Sequence, residues 1–285
     1  MTIRLICDSS QNVPEHLQQR LGIIECQASV IFGDEIYLNK TEISGEEFYR
    51  RLHSLPKGAA LPTTTQPSPG QFRQAVQQAK AEGATGVILT AVSAKMSGTF
   101  NSAAQAIEQE SAIPVAVWDT ASASMGAGWQ TIRAAELGQA GASHAEIMAA
   151  LPGIRDRIHT AFTVDMLKYL VASGRLTQVQ GLMGTLLNVK PMLVVEDGML
   201  KPVGRERGRR SAKAALIELL RARVGDQPIR LALAHANVAD EAHAFEPELR
   251  AAFNVQALEI VELGPVLAAL AGPGVMALAL MQEDV

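Results

Sequence analysis

Residues 87–100, VILTAVSAKMSGTF, hold the pattern from which the fold class is read. Val87 to Ala91 is a strand-length apolar run. Ser97, Gly98 and Thr99 follow in a polar loop, and Ala103, Ala104 and Ile107 then recur at helical spacing. The same order of strand, hydroxyl-rich loop and helix appears on both sides. Upstream, Ile3 to Cys7 is a short apolar run ending in Asp8, Ser9 and Ser10. Downstream, Val115 to Trp118 ends at Asp119, and a helical pattern runs from about Ser124 to Leu137. Helix starts are marked by Ser44 with Glu47, by Ser68 with Pro69 and Gln71, and by Ser143 with Glu146. Alternation of this kind predicts a three-layer α/β/α domain on a mostly parallel sheet.

The pattern changes near residue 157. Val189 to Val195 and Met199 to Val203 flank Asp197-Gly198, which suits a tight primed hairpin turn. Strands over Thr160–Val164, Ile229–Ala234, Val255–Val261 and Val275–Met281 and a helix over Ser211–Arg223 complete a smaller α+β domain with a mixed sheet. The expected division is 1–157 for the α/β domain with the hydroxyl-rich site, and 158–285 for an α+β domain closing over the ligand.

Composition narrows the function classes. The chain has 285 residues, 48% hydrophobic, 19% charged and 4% aromatic, so its core is aliphatic. A net charge of −4 argues against non-specific nucleic-acid binding. The two cysteines, Cys7 and Cys26, lie in apolar runs and read as buried thiols rather than a disulfide. The N-terminal apolar run is too short for a signal peptide, and no stretch reaches the ~18 apolar residues of a membrane span. The expectation is a soluble cytoplasmic protein.

In open α/β sheets, ligands bind outside the carboxyl ends of the strands. The loops expected there hold Asp8-Ser9-Ser10, Ser97-Gly98-Thr99 and Asp119-Thr120 with Ser122 and Ser124, and Thr63 to Ser68 lie before a helix. Hydroxyls and helix N-terminal N–H groups suit an anion, and they equally suit caps and turns. Other chemistries have less support. The phosphate-binding loop, the dinucleotide-binding glycine pattern and the G-x-S-x-G elbow are all missing. The six histidines are scattered without metal-site spacing. A Ser/Thr-nucleophile hydrolase or transferase using Ser97 or Thr64 on an anionic or acyl substrate is an alternative. It has no evident base, and His235, at the end of a strand, is its nearest candidate. A binder of another small anion is a third. The basic run from Arg205 to Lys213 reads as a solvated face, an anion contact or a patch for an acidic partner.

As a set, the motifs resemble the DegV family of bacterial fatty-acid-binding proteins. The residues are Asp8-Ser9-Ser10, Thr64-Thr65-Gln66-Pro67-Ser68, and Ser97-Gly98-Thr99 with Ser102. Further along come Asp119-Thr120, Ser124-Met125-Gly126, Ser173-Gly174-Arg175-Leu176, Lys190-Pro191, Gly264-Pro265 and Gly272-Pro273-Gly274. The resemblance implies a non-catalytic binder with one long-chain fatty acid in an apolar tunnel. A separate fatty-acid kinase, the implied partner, makes acyl-phosphate from the presented carboxylate. By position, Thr64, Thr65 and Ser97 would contact the carboxylate. Arg175 and Arg207 match arginines near the head group or the partner. The candidate ligand-binding set is Thr64, Thr65, Ser97, Gly98, Thr99, Ser124, Arg175 and Arg207, with no catalytic residue, metal or cofactor expected. One departure stands out. The family commonly reads G-T-H-T-G-P-G where this chain has Ala268 to Gly274, so Leu270 replaces the histidine and Ala269 and Ala271 the threonines.

Overall fold

A computed structural model of the chain describes residues 2–108, 112–176 and 188–283. The chain begins with β1 (Ile3–Asp8), a 3-10 turn over Ser9–Gln11, α1 (Glu15–Leu21) and β2 (Ile24–Cys26). An excursion follows, with β3 (Ser29–Phe32), β4 (Glu35–Leu38), α2 (Gly45–Ser54) and β5 (Thr63–Thr65). Next come α3 (Pro69–Ala81), β6 (Gly86–Ala91), α4 (Thr99–Ile107), β7 (Val115–Asp119), α5 (Met125–Gln139) and α6 (His144–Asp156). After these lie β8 (Ile158–Thr163), α7 (Lys168–Ala172), β9 (Val189–Glu196), β10 (Met199–Arg207) and α8 (Arg209–Val224). The last elements are β11 (Ile229–His235), α9 (Ala239–Ala252), β12 (Val255–Glu262), α10 (Pro265–Ala271) and β13 (Met276–Gln282).

These elements form two compact units, residues 1–29 with 65–157, and residues 30–64 with 158–285. This differs from the two consecutive blocks expected from the sequence pattern. Residues 30–64 group with the later part of the chain, which makes the α+β unit the larger of the two rather than the smaller.

The first unit is a three-layer α/β/α structure. Its parallel sheet has the order β2-β1-β6-β7. Alternate strand residues face opposite layers. Ile6, Val87 and Leu89 pack under α3 and α4 with Phe72, Val76, Ala79 and Ala103. On the other face α5 lies against β1 and packs with α1 and α6. Ser143 before α6 closes the reciprocal capping box expected of it, and Ser68 before α3 closes one as well. Of the box expected at Ser44 before α2, the bond from Glu47 N to the Ser44 hydroxyl is formed.

The second unit has a mixed six-stranded sheet of order β10-β9-β8-β13-β11-β12. Ala212, Leu216, Leu220 and Val224 on α8 and Ala242, Phe245 and Leu249 on α9 bury one face of it. In the β9–β10 hairpin, Asp197 (φ 52°) and Gly198 (φ 74°) both take the left-handed conformation that a primed turn requires. A three-stranded sheet, β4-β3-β5, occupies the excursion. Thr63–Thr65, expected as loop, is therefore a short strand.

Candidate functional site

All four strands of the first sheet run parallel, so the loops after β1, β6 and β7 share one edge. Asp8 closes β1 and is 1% exposed. Its carboxylate accepts from Ser10 N (3.0 Å), Val92 N (2.9 Å) and Gln11 Nε2 (3.3 Å), and from the Ser10 hydroxyl. Burial pushes its pKa above the ordinary 3.8, and these hydrogen bonds oppose that shift. Ser9 Oγ accepts from Ala28 N at 3.0 Å. The first hydroxyl loop is thus committed to holding the edge together.

The loop after β6 has a half-buried hydroxyl. Ser97 Oγ lies 2.8 Å from Thr99 Oγ1 and accepts from Thr99 N at 3.3 Å. Thr99 is 2% exposed and opens α4, whose N-cap, Gly98, makes no side-chain cap bond. Ser97 and Thr99 therefore stand at the positive end of a helix. Gln66 lies over Gly98. A Cβ there would come 3.1 Å from Gln66 Nε2, so a larger residue at Gly98 would press on the Gln66 amide. Ser102 Oγ donates to Pro67 O at 2.5 Å, which fixes the Gln66–Pro67 turn to α4. Gln66 belongs to the Thr64–Ser68 motif and not to the candidate set, because a glutamine between threonine and proline carries no charge or helix signal.

Of the candidate set, Ser97, Gly98 and Thr99 meet at this spot. Thr65 is exposed at the end of β5, two residues from Pro67. Ser124 is engaged differently. It has φ 49°, its N donates to Ser10 O (3.0 Å) and its Oγ to Asn12 Oδ1 (3.2 Å). Thr64, Arg175 and Arg207 belong to the second unit. Arg175 follows α7 and donates to Ser173 O, and Arg207 is exposed at the end of β10. The hydrogen-bonding neighbour of Ser97 is a hydroxyl, not a base.

The basic run divides between structural elements. Arg205 and Arg207 sit in β10, while Arg209 opens α8. Arg209 is not a patch residue, because it pairs with Asp165 at 2.9 Å and Glu241 at 2.7 Å and donates to Gly274 O. Lys190 pairs with the same Asp165 at 2.7 Å. Leu270 lies half-buried on α10. His235 is 5% exposed, its Nδ1 has no hydrogen-bond partner among the described residues, and burial and nearby His243 hold its pKa below 6.5. Cys7 and Cys26 are buried thiols, with Cys26 pushed up to about 12 by burial. Among the described residues no group of three or more His, Cys, Asp or Glu is placed to hold a metal ion, and no helix is long and apolar enough to cross a membrane.

A family model described as "Uncharacterised protein, DegV family" matches residues 2–283. The chain belongs to the DegV family. A DegV domain-containing protein of Deinococcus radiodurans is 36% identical over 288 residues, with 98% of each chain covered. A solved DegV structure from Thermus thermophilus, described by its fatty-acid binding, superposes with a TM-score of 0.91 at 33% identity, covering 99% of this chain and 100% of that one. The DegV structure of Bacillus subtilis, described as a fatty acid binding protein, gives 0.87 at 29%, covering 99% and 100%. The two-domain α/β architecture is that of these DegV relatives.

Proposed function

We propose that this chain binds one long-chain fatty acid non-covalently and acts as a carrier rather than a catalyst. Supporting this is the full-length similarity to DegV proteins described as fatty-acid binders, with Ser97 and Thr99 paired at the start of α4. A carboxylate leaving water needs several donors. The Ser97 and Thr99 hydroxyls, the N–H groups opening α4, Thr65 and Gln66 Nε2 are the donors proposed in the first unit. Thr64, Arg175 and Arg207 are further candidates, carried by the second unit. The tail supplies the attraction. About 14 methylenes at ~0.8 kcal/mol each give ~11 kcal/mol before the costs of association. Presentation to a fatty-acid kinase in the cytoplasm completes the proposal.

The experiment is displacement of a fluorescent fatty acid from the parent and from Ser97→Ala and Thr64→Val. Losing one hydrogen bond to a charged group costs roughly 1.5–3 kcal/mol, so each substitution should weaken binding about tenfold or more. Unchanged affinity in the double variant would contradict the site.

A further inference from the structure

We propose that Asp119 is the positioning residue for the Ser97–Thr99 hydroxyl pair. It holds the loop after β6 in the shape that presents Ser97, and it discriminates carboxylate from neutral head groups without touching the ligand. The proposal rests on the fatty-acid reading given above.

The geometry that points to it lies wholly in the first unit. Asp119 is the last residue of β7, which pairs with β6 through Ala91↔Asp119. One oxygen, Oδ1, accepts two backbone N–H groups from two different loops. Ala121 N donates at 2.9 Å from its own loop, and Ala94 N donates at 3.1 Å from the loop that carries Ser97. Ala94 is exposed, so this bond is not forced by burial. Ala121 has φ 47°, a conformation non-glycine residues seldom adopt, and the Asp119 carboxylate compensates by closing an Asx-type turn over it.

The rest of the seam follows from that bridge. Ser93 N donates to Ser122 O at 2.8 Å, and Thr120 donates to Ala91 O through N (3.1 Å) and Oγ1 (2.8 Å). Ser93 O then accepts from both Met96 N and Ser97 N at 3.0 Å. This places the Ser97 backbone one turn from the anchored segment. On the other side, the buried Asp8 carboxylate takes Val92 N at 2.9 Å. The loop after β6 is therefore held at Val92 by the carboxylate that ends β1 and at Ala94 by the carboxylate that ends β7. Asp8 is enclosed in a network with Ser10, Gln11, Thr90 and Thr131, so substituting it disturbs the core. Asp119 is only partly buried, which makes it the residue through which positioning can be tested.

A hydroxyl pair held in place before the ligand arrives binds more tightly than one that must be ordered at binding, because the ordering entropy has already been lost. Freeing Ala94 should therefore affect the ligand's head group and spare its tail. The experiment uses the full chain. Dissociation constants are measured for a long-chain fatty acid and for the alcohol of the same chain length, on the parent, Asp119→Ala, Asp119→Asn and Asp119→Ser. Asparagine keeps an accepting oxygen with the same reach. Serine can close the local turn over Ala121 but is too short to reach Ala94 N. The expected result is an acid affinity about tenfold weaker in Asp119→Ala and in Asp119→Ser, near-parent affinity in Asp119→Asn, and alcohol affinity within about twofold throughout. If Asp119→Ala does not fold, the serine and asparagine pair gives the same comparison. Equal weakening for acid and alcohol, or no weakening in the serine variant, overturns the positioning role while leaving the fatty-acid reading intact. A parent protein that binds neither compound overturns that reading, and the positioning role with it.

Discussion

Asn39 Oδ1 accepts a hydrogen bond from the backbone N of Val266 at 3.1 Å, across 227 residues of chain. Gly264, the N-cap of α10, has no side chain to satisfy that helix end, and Asn39 does so from the excursion between β4 and α2. The approach is close, since a Cβ on Gly264 would lie 2.9 Å from Asn39 Oδ1. Asn39 is 1% exposed. Replacing it by Ala should lower stability by about 1–2 kcal/mol, read from urea unfolding at unchanged m-value. A change below about 0.3 kcal/mol would show that water caps α10 as well.

The same bond shows why the division of the chain was not legible in the sequence. Strands β3, β4 and β5 are three or four residues long, and β4 is largely exposed, so they offer no periodicity. Contacts such as Asn39 with Val266 assign residues 30–64 to the later unit, and no local pattern reports them. What was legible is local chemistry. The serine caps of α3 and α6 and the Asp197-Gly198 turn each need only neighbouring residues. At the site, the sequence placed Ser97, Gly98 and Thr99 together because they are adjacent in the chain. It missed Gln66, which arrives from another loop, and the left-handed turn that gives Ser124 to Asn12.

Arg209 and Arg210 look alike in the sequence and should behave differently. The carboxylates paired with Arg209 come from positions 165 and 241, so a run of basic residues hides a folded ion network. Its side chain is 22% exposed, so Arg209→Ala should cost roughly 2–3 kcal/mol by stranding Glu241 and loosening Asp165. Exposed Arg210→Ala should stay within about 0.5 kcal/mol. Thermal denaturation of the two variants side by side is the check, and equal effects would contradict the network.

His235 gives stability a pH dependence of known sign. Burial, with nearby His243, holds its folded-state pKa below the ordinary 6.5, and burial does the same for His159. Above 6.5 both folded and unfolded states are neutral and the contribution is complete. As pH falls through that value the unfolded chain takes up protons first, so stability declines until the folded-state pKa is passed. Urea titrations between about pH 5 and about pH 8 should show the decline. It should be smaller in His235→Gln, and an identical slope in that variant would place the effect elsewhere.

Leu270 bears on the proposed kinase step. A hydroxyl and N–H site does not titrate near neutrality, so fatty-acid affinity should be nearly flat between about pH 6 and about pH 8. The full family pattern is hard to restore, because Ala269 is 3% exposed and a threonine there overfills its pocket. Half-buried Leu270→His alone is the cleaner variant. It should raise phosphorylation of the bound acid by a fatty-acid kinase more than it raises affinity. Efficient phosphorylation by the unaltered protein would show that the histidine is dispensable.

The central claim, that this chain holds a fatty acid without reacting with it, is tested most directly by native mass spectrometry of the full-length protein purified from cells. The account predicts an added mass equal to one long-chain fatty acid, lost on denaturation and reduced in Ser97→Ala. A mass that survives denaturation would mean a covalent acyl adduct on a Ser or Thr nucleophile. That result, or a protein that takes up no fatty acid even when one is supplied, would contradict it.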